Sequence, residues 1–158
     1  MFLNILLVGN GSREHAIAWK LSQSSLVKNI YIAPGNAGTS QIGINLSLEQ
    51  TDFEALADAA VKHEIDLTMI GPETPLSEGI VDYFQIRGQK IFGPTKSAAR
   101  IESSKVFAKN LMRRYGIPTG DFEVFQSFDK ASDYVQKQSL PLVIKADGLA
   151  AGKGVIIA

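Results

Sequence analysis

Four glycine-bearing segments and a few lysines carry the chemistry open to this sequence. The segments are Gly9-Asn10-Gly11-Ser12-Arg13-Glu14-His15, Pro34-Gly35-Asn36-Ala37-Gly38, Gly71-Pro72-Glu73-Thr74-Pro75 and Asp147-Gly148-Leu149-Ala150-Ala151-Gly152-Lys153-Gly154. Small residues let a ligand approach the main chain, and free N–H groups at the start of a helix attract phosphate. Lys145 and Lys153 add full positive charge at or beside the last segment, and Lys105 is a candidate for a further charge. The chemistry implied is the gripping of phosphorylated small molecules.

The first segment fails as a dinucleotide fingerprint. Glu14 stands at the third glycine position, and the second strand ends in Ile32-Ala33-Pro34 with no acid for a ribose. That argues against an NAD-dependent oxidoreductase domain. Glu14 and His15 either line a pocket or serve as a first-turn carboxylate and a backbone partner. Glu73 either accepts from sugar hydroxyls or caps the helix that follows it. The last segment is not a Walker A loop, because only three residues separate Gly148 from Gly152 and Gly154 replaces the metal-binding hydroxyl residue. A glycine loop between two strands can instead fold over a triphosphate as a flap. Lys145, alternating with Leu142, Val143 and Ile144, reads as the end of a buried strand, where an ammonium needs a carboxylate or a ligand phosphate. Lys105, behind Ser103-Ser104, either adds a second charge or is an ordinary solvated lysine.

Alternating strands and helices must position these loops. Short apolar runs predict strands over 4–8, 29–33, 66–70 and 90–92, and the loops at 9, 34 and 71 each follow one of them. A parallel sheet with flanking helices brings such loops to one edge. Helices are predicted over 13–23, from a capping box of Thr51 and Glu54 through Val61, and over 76–87 with Gly88 as terminator. After Gly93-Pro94-Thr95 the pattern changes to helices at 98–101 and 105–115, closed by Gly116-Ile117-Pro118. A strand over 121–125, a helix over 129–138, a strand over 142–145 and a strand from Val155 follow. The expected domains are 1–95 and 96–158, the second only begun, so the chain is expected to be the amino-terminal part of a longer protein.

Sixteen basic and sixteen acidic residues cancel, leaving no broad field for nucleic acid or an anionic membrane. No cysteine is present, which excludes disulfides, thiolate metal sites and thiol nucleophiles. No apolar run approaches membrane-spanning length, and the opening apolar stretch lacks the features of a signal peptide. A cytoplasmic protein is expected.

The four segments, with Ile91-Phe92-Gly93-Pro94-Thr95, Ser104-Lys105 and Ile144-Lys145-Ala146 leading into the last of them, together resemble glycinamide ribonucleotide synthetase, an ATP-grasp ligase family. The resemblance runs from end to end. It implies a Rossmann-like substrate-binding domain followed by the start of an incomplete ATP-grasp domain. It further implies a reaction in which ATP activates glycine as an acyl phosphate and 5-phosphoribosylamine attacks it, an early step of purine synthesis. Carried over, Gly9, Asn10, Gly11, Ser12, Arg13, Glu14, Pro34, Gly35, Asn36, Gly38, Gly71, Pro72 and Glu73 would bind the phosphoribosyl group, with Glu73 at its hydroxyls. Lys105, Lys145, Gly148, Gly152, Lys153 and Gly154 would serve the phosphates of ATP. Mg2+ or Mn2+ ligands would lie beyond residue 158, and the full-length enzyme would be a monomer. Ser12 departs from the family, which usually has a further glycine there. The 158 residues alone are expected not to catalyse the ligation, and the competing reading is a non-catalytic module that holds a phosphorylated sugar.

Overall fold

The computed structural model describes residues 2–150 and 153–158. The chain divides into two compact units, the first running to Ala99 and the second beginning at Arg100.

In the first unit the leading apolar run forms β1 (Leu3–Gly9), the middle strand of a five-stranded parallel sheet. It is flanked by β2 (Val27–Pro34) and β4 (Leu67–Ile70), with β3 (Ile44–Asn45) and β5 (Ile91–Phe92) outside, in the order β3-β2-β1-β4-β5. Strands buried on both faces have no reason to alternate polar with apolar residues, which is why Ile5, Leu6, Leu7 and Val8 run together. Successive side chains point to opposite faces. Leu6 and Val8 therefore meet Leu56, Ala57 and Ala60 of α2 (Phe53–Lys62) and Ile80, Val81 and Phe84 of α4 (Ile80–Ile86). Leu7 packs on the other face with Ile30, Ile32 and Ala18 of α1 (Ser12–Ser22).

Two local expectations need correction, and one strand was not foreseen. α2 is capped by Asp52, whose Oδ1 accepts from Ala55 N at 3.0 Å, and not by Thr51, so the helix starts one residue later than the capping box implied. The helix predicted over 76–87 begins earlier and is two: α3 (Glu73–Glu78) and α4 are broken at Gly79, whose φ of +105° is open to glycine at little cost. Apolar spacing passed smoothly through the break because Leu76 and Val81 both reach the same core. β3 was not foreseen, since two residues give too short a pattern to read.

The second unit holds α5's last turn (α5, Lys96–Ser103), α6 (Lys105–Tyr115), α7 (Phe128–Val135) and an antiparallel pair, β6 (Val143–Lys145) and β7 (Val155–Ile157). Gly116, at φ +64°, ends α6 as expected. No strand forms over 121–125. Arg113 covers the Phe122 ring at 4.0 Å and donates to the Phe122 carbonyl at 2.7 Å, taking the acceptor a strand would have used. All buried apolar side chains among the described residues belong to the first unit. Among the described residues no helix is long and apolar enough to cross a membrane.

Candidate functional site

Register brings three loops level at one edge of the sheet. Gly9 pairs with Pro34 and Val8 with Ile70, so the segments following β1, β2 and β4 leave side by side. In an open parallel sheet ligands sit outside the carboxyl ends of the strands, where connections part to opposite faces. Here that point is β1, with β2 on one side and β4 on the other.

Hydrogen bonds tie the loops together. Gly35 N donates to Gly9 O at 3.1 Å and Gly71 N to Val8 O at 3.0 Å. Asn36 acts as a strut: Nδ2 donates to Asn10 O at 2.9 Å, while Oδ1 accepts from Gly38 N and Thr39 N at 2.8 and 3.0 Å. Behind it, buried Thr39 and half-buried Asn45 complete the network, with Asn45 Nδ2 donating to Asn36 O at 2.8 Å. Neither residue was foreseen; the only trace of Asn45 in the sequence is an amide among the apolar residues 42–48. His15 packs against Gly38, where a Cβ would lie 2.6 Å from its Cε1. Asn10 and Ser12 are exposed at the rim.

Glu14 occupies the centre. Its residue is only 3% exposed, and Oε2 accepts from Gly11 N at 2.7 Å. A Cβ on Gly9 would lie 2.6 Å from its Cγ, one on Gly11 2.9 Å from its Oε2, and one on Gly71 would collide with its carboxylate. These three glycines thus make room for a side chain of the protein itself, and the Gly11 N–H is already engaged. Oε1 takes no hydrogen bond, although Arg13 Nε lies 3.5 Å away. The other end of Arg13 reaches across to the β4 loop, NH1 and NH2 donating to Glu73 at 3.3 Å. Pro72 lies between, with its Cδ 2.9 Å from a Cβ placed on Gly9. One guanidinium therefore stands between two carboxylates.

The Glu73 carboxyl is held below its ordinary value, first by its own backbone N–H and then by the Arg13 guanidinium, which together outweigh its partial desolvation. A depressed carboxyl contributes stability above the ordinary Glu range and loses it as pH falls through the folded-state value. A carbon-13 carboxylate titration should therefore show Glu73 ionising below an ordinary exposed Glu, and Arg13→Ala should move it upward. An unmoved midpoint in that variant would show that the pair is not formed in solution.

The remaining sequence-predicted residues lie in the second unit. Lys145 ends β6 and faces Val155 across the pair, so the last segment is the turn of a hairpin, as expected. β6 is exposed throughout, however, and the inference of a buried ammonium at Lys145 does not hold: without covering layers, nothing removes it from water. Lys105 is half-buried, and its Nζ donates to Gly148 O at 2.6 Å. Ser104 caps α6 by accepting from Phe107 N at 3.1 Å, and the Asp147 carboxylate accepts from Val106 N at 3.2 Å and from the Ser104 hydroxyl. Partial burial pushes the Asp147 carboxyl up, but these donors with the N–H groups of Gly148 and Lys105 prevail and hold it low. The base of the hairpin is pinned to the start of α6. Lys153 N donates to Ala150 O and Gly154 O accepts from Ala146 N, both at 2.8 Å, while Gly152 falls outside the described residues.

The family model of phosphoribosylglycinamide synthetase, N domain, matches residues 3–102, and that of its ATP-grasp (A) domain matches residues 103–158. The phosphoribosylamine–glycine ligase of Halalkalibacterium halodurans is 52% identical over 156 residues, 99% of this chain and 36% of the relative. The crystal structure of the phosphoribosylamine–glycine ligase of Thermotoga maritima superposes with a TM-score of 0.76 at 36% identity, covering 98% of this chain and 36% of that one. N5-carboxyaminoimidazole ribonucleotide synthetase of the same organism, at 18% identity and TM-score 0.73 over 99% of this chain and 41% of that one, shares the fold. The chain spans 36% of the length of the two ligases.

Proposed function

Because the chain belongs to the phosphoribosylglycinamide synthetase family, we propose that it supplies the sugar-phosphate capture site and the first part of the ATP site of a phosphoribosylamine–glycine ligase. That enzyme joins the carboxyl of glycine to the amine of 5-phosphoribosylamine with ATP, giving glycinamide ribonucleotide, ADP and phosphate in purine biosynthesis. The observation that carries the reading is the convergence of three loops at the edge of β1, with Arg13 and Glu73 bridging it at 3.3 Å. Arg13 and the first amides of α1 meet the phosphate, and Glu73 accepts from ribose hydroxyls. Residues 1–95 act as the substrate-binding domain and 96–158 as the start of the ATP-grasp domain.

The hairpin fits ATP by the chemistry of its donors: Lys105, Lys145, Lys153 and the main chain at Gly148 and Gly154 would hold its phosphates. ATP when bound supplies the phosphoryl group that activates a carboxyl. Lys105, tied to Gly148, keeps positive charge at the base of the hairpin. Mg2+ or Mn2+ belongs to this chemistry, but among the described residues no cluster of three His, Asp or Glu gathers, and no residue here is assigned to it. We place the enzyme in the cytoplasm.

Nitrogen-15 spectra of the chain during titration test the reading. Ribose 5-phosphate should shift amides at 9–14, 35–38, 71 and 73, and a non-hydrolysable ATP analogue should shift those at 105 and 145–154. Shifts confined to other regions would refute it.

A further inference from the structure

Glu14 has no part in the capture just described, yet it is the most deeply buried ionisable side chain of the loops. A carboxylate beside a phosphate site is unfavourable unless it does something a neutral side chain cannot. It cannot meet the ligand directly, since Oε1 is sealed from solvent and Oε2 is used by Gly11 N. What remains in reach is Arg13, whose Nε lies 3.5 Å from Oε1.

Building on the functional reading above, we infer that Glu14 is a positioning residue: its buried carboxylate, 3.5 Å from Nε, pairs with the inner side of Arg13 and orients the guanidinium, whose outer edge donates to Glu73 in this structure and turns to the phosphate of the sugar on binding. Arginine suits this division because its donors form a rigid planar fork, one edge of which can be held while another binds. A lysine has no second nitrogen to be held. Three glycines leave the space that the Glu14 side chain fills, fixing it against both the β1 and β4 loops. Placed between Glu14 and Glu73, the arginine gives up less rotamer freedom on binding than an unrestrained one would.

The test uses the 158-residue chain with Glu14→Gln, Arg13→Lys, Arg13→Ala and the double variant Glu14→Gln/Arg13→Ala, with ribose 5-phosphate as probe. Gln keeps the volume and an acceptor for Gly11 N but removes the charge that holds Nε. The Arg13 Nε–H resonance should be protected from exchange in the wild type and lose protection in Glu14→Gln. Affinity for ribose 5-phosphate should fall about tenfold or more in Glu14→Gln and in Arg13→Lys. The double variant should be no weaker than Arg13→Ala alone, because Glu14 acts through Arg13. A purely structural role would lower the melting temperature and add its loss to that of Arg13→Ala. Absence of binding by the wild type overturns the functional reading and this inference together. Binding by the wild type with equal binding by Glu14→Gln overturns the inference alone. Should Glu14→Gln not fold, Arg13→Lys decides, since unchanged affinity in that exposed variant shows that holding Nε is unnecessary.

Discussion

Replacing Gly9 with alanine is expected to destabilise the first unit by about 3 kcal/mol and to abolish binding of phosphorylated ribose. Two costs combine. Gly9 lies at φ +131°, where an L side chain is strained by about 1–3 kcal/mol. Its Cβ would also come within 2.6 Å of Glu14 Cγ and 2.9 Å of Pro72 Cδ, an overpacking worth about 1–3 kcal/mol in a site that cannot relax. For a unit of this size the melting temperature should fall by roughly 10–20 °C in calorimetry. Gly88→Ala is the control, since Gly88 has φ +70° but open space around it, and bears the backbone cost alone. Equal melting temperatures for the two variants would show that Glu14 does not hold its place against β1 in solution.

Phe84→Ala should cost still more, about 3–5 kcal/mol, through lost burial and the cavity left behind. Phe84 is fully buried on the face of the sheet shared by α2 and α4, against Leu6, Val8, Leu56, Ala57, Val81 and neighbouring side chains. The melting temperature of the first unit should drop by about 15 °C or more. The loss should be global, because the same cluster backs β1, the central strand of the sheet. Carboxylate titration of Glu73 below the new transition should stay as in the parent, since its shift comes from its own backbone N–H and Arg13. A melting temperature within a few degrees of the parent would mean that this face of the sheet is not the packed core described.

The sequence was informative wherever a signal was local and repeated. Uninterrupted apolar runs gave β1, β2 and β4, and the residues after each run gave the three loops, because parallel sheets bury both faces and leave connections at their ends. The role of Glu14 was not readable. Its meaning depends on Gly9, Gly11 and Gly71 meeting in space, and sequence spacing could only describe the glycines as open to a ligand. Caps were ambiguous for a different reason: Thr51 and Asp52 are both good cap residues, and the favourable Glu54 spacing pointed to the wrong one. The second unit misled most. Strand-like residues at 121–125 and a lysine after three apolar residues imply burial only if covering layers are present, and in this unit the β6 positions are exposed.

Every residue of the three-loop edge, from Gly9 to Glu73, lies within the unit that owns the core. The grip proposed for a sugar phosphate is therefore built wholly from residues that share one core, and substitutions that loosen that core should weaken it.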